Sequence, residues 1–127
     1  VYLIIKIILT GKIVPKARPR FGKGKSYLPK NYRNWKNGSV CYMMVSLPPD
    51  FQTFEKAIVS IRFKGNHNRN ADLDNLSGAI LDALVDAGIL IDDRLSVVQE
   101  LHVYFEDSKI PPTTEISLRE VFTPDKK

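Results

Sequence analysis

No aspartate or glutamate occurs in the first 49 residues of this 127-residue chain, yet that stretch holds ten of its 19 lysines and arginines. Residues 50–127 carry all 14 acidic side chains against nine basic ones, so the net charge of +5 joins a basic part of +10 to an acidic part of −5. A polyanion would select such an arm, because each cation set against a phosphate releases condensed counterions. A solvated loop is the plainer reading of the same charges. Cysteine is nearly missing too. Cys41 alone cannot form an internal bridge, which removes the disulfide scaffolds, fits a reducing compartment such as the cytoplasm, and leaves this residue expected in the core. Long apolar runs are also lacking. The longest, Val1 to Leu9, is interrupted by Lys6 and falls far short of the roughly 20 residues that span a bilayer. Without a basic leader or a small-residue cleavage site it reads as a buried strand, and no membrane partner is expected. His67 and His102 have no Cys or His beside them, so a zinc site is unsupported.

The chain does have an ordinary globular balance, 43% hydrophobic and 26% charged, at the length of one domain. After the opening strand, Pro15 to Pro29 combines three prolines with five basic residues and reads as a charge-presenting loop. A helix capped by Asn31 follows, carrying Tyr32, Trp35, Val40, Met43 and Met44 and stopped by Pro48-Pro49; Trp35 is expected to pack and not to stack on a base. Lys56 to Lys64 alternates as a strand, and Gly65 to Asn70 is a polar loop. The strongest helix places Leu73, Leu76, Ile80, Ala83, Leu84 and Ala87 in one stripe, with Gly88 where a terminating glycine belongs. Val97 to Phe105 is a strand with Val97, Leu101, Val103 and Phe105 on one face, and Glu115 to Phe122 is the last strand. The order β-α-β-α-β-β predicts an α/β protein of the α+β kind: one domain over 1–122, a mixed sheet of about four strands with two helices, and a frayed tail over 123–127.

Carboxylates gather around the strong helix, with Asp72 and Asp74 at its start and Asp92 and Asp93 beyond its end. In an extended lead-in, positions 72 and 74 point to the same side. Two close carboxylates repel unless one takes up a proton or a cation sits between them, and hard oxygen ligands of this kind suit Mg²⁺. The positive helix end opposes a metal, so a third carboxylate is wanted, from Asp92 or Asp93. Taken singly, each has a bland alternative as a cap, a first-turn charge or an exposed turn. Asp82 and Asp86 read as a solvated helix face. Asp-x-Asp pairs also occur in phosphatases and sugar transferases, and a hydrolase of small phosphorylated metabolites would leave the basic arm without a purpose.

Read together, Pro15-Lys16-Ala17-Arg18-Pro19-Arg20-Phe21, Tyr27 with Pro29, Asp72-Leu73-Asp74-Asn75-Leu76, Asp82-Ala83-Leu84 and Asp92-Asp93 follow the order and spacing of the RusA-type Holliday junction resolvases. The chain resembles that family from Gly11 to Leu101. The resemblance implies a homodimeric, Mg²⁺-dependent endonuclease that cuts four-way DNA junctions in recombination and repair, with Mn²⁺ a possible substitute, in the cytoplasm of bacteria and commonly carried by prophages. It implies Asp72, Asp74 and Asp93 as the catalytic carboxylates and metal ligands, with Asp92 the other half of the acidic pair. Lys16, Arg18, Arg20, Lys23, Lys25 and Arg69 would then grip the DNA backbone. The family carries a lysine one helical turn past the Asp-x-Asp motif, and here that position is Gly78. The alternative expectation is therefore a catalytically weak or inactive branched-DNA-binding protein of the same fold.

Overall fold

The computed structural model describes residues 3–15, 20–22, 25–27 and 29–122. Strand β1 (Ile4–Thr10) buries Ile5, Ile7 and Leu9 and turns Ile4, Lys6 and Ile8 outward, as its alternation requires. Two short strands, β2 (Arg20–Gly22) and β3 (Lys25–Tyr27), pair antiparallel in the stretch expected to be a loop. Prolines and charges masked the signal there, which was a Lys-Gly step between two short runs. Helix α1 (Lys30–Val45) follows, then β4 (Ala57–Gly65), α2 (Leu73–Asp86), β5 (Val98–Asp107) and β6 (Thr113–Glu120). Apart from the added hairpin, the expected order and the single mixed sheet are what the chain forms. The expected tail over 123–127 lies outside the described residues, among which no helix is long and apolar enough to cross a membrane.

The four long strands lie in the order β1-β6-β4-β5. All neighbours are antiparallel except β4 and β5, and a parallel pair needs a crossover, which α2 supplies. Ala57, Val59, Ile61 and Phe63 of β4 join Thr114, Ile116 and Leu118 of β6 and the β1 residues under the helices. The opposite face, with Ile4, Ile8, Arg62, His102 and Tyr104, remains open to solvent.

Helix α2 buries Leu76, Ala79, Ile80, Ala83 and Leu84, the stripe its periodicity dictates. It ends on Gly88 at φ 77°, where the Gly88 amide donates to the Val85 carbonyl and the Ile89 amide to Leu84, both at 3.0 Å. This is the paired closure that a left-handed glycine permits. Gly65 closes β4 at φ 91°, and a Cβ there would stand 2.7 Å from the carbonyl oxygens of both Ile110 and Pro111. Only glycine lets the strand end pass so close to that turn.

Several expectations are corrected. Pro29 occupies the cap position of α1 with no side-chain bond, whereas Asn31 lies inside the helix, its Oδ1 accepting from the Tyr32 amide at 2.9 Å. Cys41 is exposed, because a separation of two residues sets it about 200° around the helix from buried Met43; Met44 is exposed as well. Trp35 does pack, stacked on Tyr32 with ring centroids 6.0 Å apart. Leu73, although in the apolar stripe by count, is 42% exposed at the head of α2. On β5 the pairing slips between Ala57 and Ile58, whose partners are Val98 and Glu100, so Gln99 is an extra residue and Val97 and Val98 are both buried. Leu101 and Phe105 face the helix side as expected but stay 40% and 42% exposed, because β5 is an edge strand.

Candidate functional site

The start of α2 stands at the ends of β4 and β5, beside a cavity of about 130 Å³ lined in part by Phe63, His67, Leu73, Leu76 and Phe105. Asp72 holds the cap position with extended backbone, φ −78° and ψ 136°, and its carbonyl accepts from the Leu76 amide at 3.1 Å. Its side chain makes no capping bond, so the carboxylate points into solvent at the positive end of the helix. Asp74 lies in the first turn and is exposed. One residue of the pair is thus extended and the other helical. The alternation of a strand does not govern their relative direction, which corrects the premise that they share a side for that reason.

The loop leading to Asp72 is pinned from beneath. His67 is 4% exposed and lies edge-on to the rings of Phe63 and Phe105, at 5.6 and 6.4 Å. Its Nε2 sits 2.9 Å from the carbonyl oxygen of Thr113. Reading 65–70 as wholly polar missed this anchor. The signal was the alternation of β4 itself, since Phe63, Gly65 and His67 continue the buried set. Arg69, expected to touch DNA, pairs with Asp107 at 2.6 Å while its side chain stays 72% exposed.

Asp92 and Asp93 lie elsewhere. Leu90 bridges to Phe54 ahead of β4, and the Val97 carbonyl accepts from the Ala57 amide at 2.8 Å, so the segment between them flanks the beginnings of β4 and β5. Asp92 is half-buried, its Oδ1 accepting from the Asp93 amide at 2.8 Å and its Oδ2 3.5 Å from Arg94 Nε; Asp93 is exposed. The 14 residues of α2 separate this pair from Asp72 and Asp74, which is roughly 20 Å at 1.5 Å per residue. The six steps from Ala57 to Phe63 on the adjacent strand give the same figure, roughly 20 Å. Among the described residues no group of three His, Cys, Asp or Glu side chains is placed to hold a metal ion. The donor chemistry of Asp72, Asp74 and Asp93 suits Mg²⁺, and within the chain Asp93 stands apart from the other two.

Of the expected solvated face, Asp86 is exposed, but Asp82 is half-buried and both are engaged by α1. The buried Tyr32 hydroxyl donates to Asp82 Oδ2 at 2.8 Å, and Lys36 Nζ lies 3.0 Å from Asp86 and 5.5 Å from the centre of the Tyr32 ring. These contacts fasten α1 to α2. Burial first, then the hydrogen bond to Asp82 and its charge, pushes the Tyr32 hydroxyl well above its ordinary pKa. Gly78, which stands where the family carries a lysine, is half-buried between Ser77 and Ala79, which are buried.

Of the basic residues assigned to DNA, Lys16, Arg18 and Lys23 lie outside the described residues, while Arg20 begins β2 and Lys25 begins β3. The open sheet face neutralises much of its own charge, with Arg62 bonded to Glu106 at 2.9 Å and Lys64 to Glu115 at 3.2 Å. Lys12, Lys30 and Arg33, by contrast, are exposed on the segments flanking the hairpin. The family model described as Endodeoxyribonuclease RusA matches residues 10–119. No curated protein matches the chain.

Proposed function

The chain belongs to the endodeoxyribonuclease RusA family, and from that premise we propose that it is a Mg²⁺-dependent endonuclease that resolves four-way DNA junctions as a homodimer. The observation that carries the reading is the exposed Asp72-Leu73-Asp74-Asn75 turn, presented at a helix start on a chain the family model covers nearly end to end. Lys16, Arg18, Arg20, Lys23 and Lys25 would bind backbone phosphates, with Arg69 close to the α2 start. Asp72 and Asp74 are the ligands at one end of the helix, and Asp93 with Asp92 at the other. Mg²⁺, or Mn²⁺ in its place, would supply charge neutralisation at the scissile phosphate. The chain's own contribution is to hold carboxylates outside any capping role and to grip the DNA with cations that no acidic residue in the first 49 neutralises locally.

A synthetic four-way junction incubated with the protein should yield paired, symmetric nicks with Mg²⁺ and none with a chelator. Asp74→Asn should abolish cutting while junction binding persists. Near wild-type cleavage by that variant would sink the assignment. Gly78 favours a second reading, a branched-DNA binder of weak or absent activity. Junction binding without nicks in either Mg²⁺ or Mn²⁺ would select it.

A further inference from the structure

We infer that His67 is a positioning residue for the Asp72-Leu73-Asp74 turn, acting through the hydrogen bond that its Nε2–H donates to the Thr113 carbonyl. The inference rests on the nuclease reading above and adds to it what holds these two carboxylates in place. Among the ten residues from Asn66 to Asn75, His67 alone is buried; Ala71 is half-buried and the other eight are exposed. A segment so poor in buried contacts has low local stability, and carboxylates carried on it wander unless something fixes its course. Arg69 adds a tie to Asp107, but with the arginine 72% exposed that pair is solvent-screened and weak. The imidazole is left as the main anchor.

The geometry around that anchor is closely specified. The Asn66 amide donates to the Ile110 carbonyl at 2.9 Å and the His67 amide to the Gly65 carbonyl at 3.0 Å, so the backbone enters the segment along one path. A carbonyl oxygen can only accept, and the 2.9 Å contact with the Thr113 oxygen therefore places the ring hydrogen on Nε2. Phe63 and Phe105, both edge-on to the imidazole, hold its plane. Beyond His67 the chain makes a tight turn. Asn68 Oδ1 accepts from the Asn70 amide and the Asn68 carbonyl from the Ala71 amide, both at 3.1 Å, and the turn ends one residue before Asp72. Its bonds give the turn a shape, whereas the bond from His67 to β6 gives it a direction. The carboxylates of Asp72 and Asp74 inherit that direction.

A buried ring between two aromatic neighbours also serves the core, and substitution separates the two roles. His67→Phe keeps a ring against Phe63 and Phe105 and donates nothing. His67→Gln gives up the ring, but its amide nitrogen lies the same number of bonds from Cα as the imidazole Nε2 and can donate to the Thr113 oxygen. Positioning through the bond ranks glutamine above phenylalanine. Packing alone ranks them the other way.

The test compares both variants with the wild type by amide hydrogen exchange over residues 68–75, by Mn²⁺ titration followed with electron paramagnetic resonance, and by single-turnover nicking of a four-way junction. In His67→Phe the 68–75 amides should exchange faster while β4 and β6 stay as protected as in the wild type. Mn²⁺ should bind about tenfold weaker and nicking should slow about tenfold, the low end for losing a bond that orients a metal ligand. Junction binding in the presence of a chelator should be unchanged. His67→Gln should stay close to the wild type in every readout. A tolerated phenylalanine with an impaired glutamine would reduce His67 to a packing residue and overturn the inference. Equal impairment of the two variants overturns it as well, as does loss of protection throughout β4 and β6, the sign of general destabilisation. Exchange needs neither metal nor DNA, so it judges His67 apart from the nuclease reading. A wild type that nicks no junction with Mg²⁺ or Mn²⁺, together with the expected order in exchange, would discard that reading and keep the anchor. Nicking by the wild type with exchange and Mn²⁺ binding unaltered in His67→Phe would do the reverse.

Discussion

At the scale of single residues, the contacts that hold α1 to α2 pass through Tyr32, whose hydroxyl serves Asp82 while its ring underlies Lys36 and stacks on Trp35. Tyr32→Phe should cost about 1.5 kcal/mol, the low end for a bond to a charged group because half-buried Asp82 can recover water. The same bond fixes a pH dependence. A hydroxyl whose pKa is raised in the folded state contributes stability that is present below its unfolded value, about 10, and is lost as pH climbs past it. Denaturant melts between pH 8 and 11, two bounds roughly straddling that value, should show stability falling at the alkaline end in the wild type and a flatter profile in Tyr32→Phe. An equal decline in both would dismiss Tyr32 as the titrating group. None of this was legible in the sequence. Asp82 and Asp86 have the spacing of an outward face, and only the arrival of a second helix, which no local pattern announces, half-buries Asp82 and pairs exposed Asp86.

Among the elements, those with an unbroken period were readable and those defined by a partner were not. β4 and α2 declare themselves through alternation and a 3.6-residue stripe, down to the glycine that ends the helix. The slip at Gln99 depends on how β5 meets β4, and the β2-β3 hairpin was obscured by prolines and charge around it. Two glycines with the same backbone sign separate conformational strain from crowding. Gly88→Ala meets open space, so it should cost about 1–2 kcal/mol for φ alone. Gly65→Ala adds a collision with two carbonyl oxygens at 2.7 Å and should cost distinctly more, about 3 kcal/mol. Urea titrations of both variants check the order. Equal losses would mean that the 108–112 turn yields freely.

For the molecule as a whole, the fold class and its family were both open to inspection in the sequence, because the motifs lie in order along almost the entire chain. The placement of the site was legible in part and went unread. Two acidic pairs that bracket a helix are held apart by its length, and the sequence contains that length. Likeness of charge suggested one patch, whereas the rigid rise of the helix forbids it within a chain. The uneven distribution of cations leads to a quantitative expectation. If the arm makes several phosphate contacts, log K for a junction should fall linearly with log salt, by roughly 0.9 per contact, and Arg20→Ala should flatten the slope by about one unit. A salt-insensitive complex would move the binding surface elsewhere.

The sheet order sets the first strand against the last, with Ile4 opposite Arg119. A ribosome delivers β1 long before the neighbour it needs, so Ile5, Ile7 and Leu9 must wait in the nascent chain while β4, α2 and β5 assemble behind them. Such distant pairing slows folding and exposes an aggregation-prone segment for as long as it is delayed. A released chain truncated before Thr113 should leave β1 open to protease while β4 to β5 is already protected. Strand β1 precedes by a hundred or so residues the only neighbour it has in the sheet among the described residues, which makes it the place where a holdase would be expected to bind.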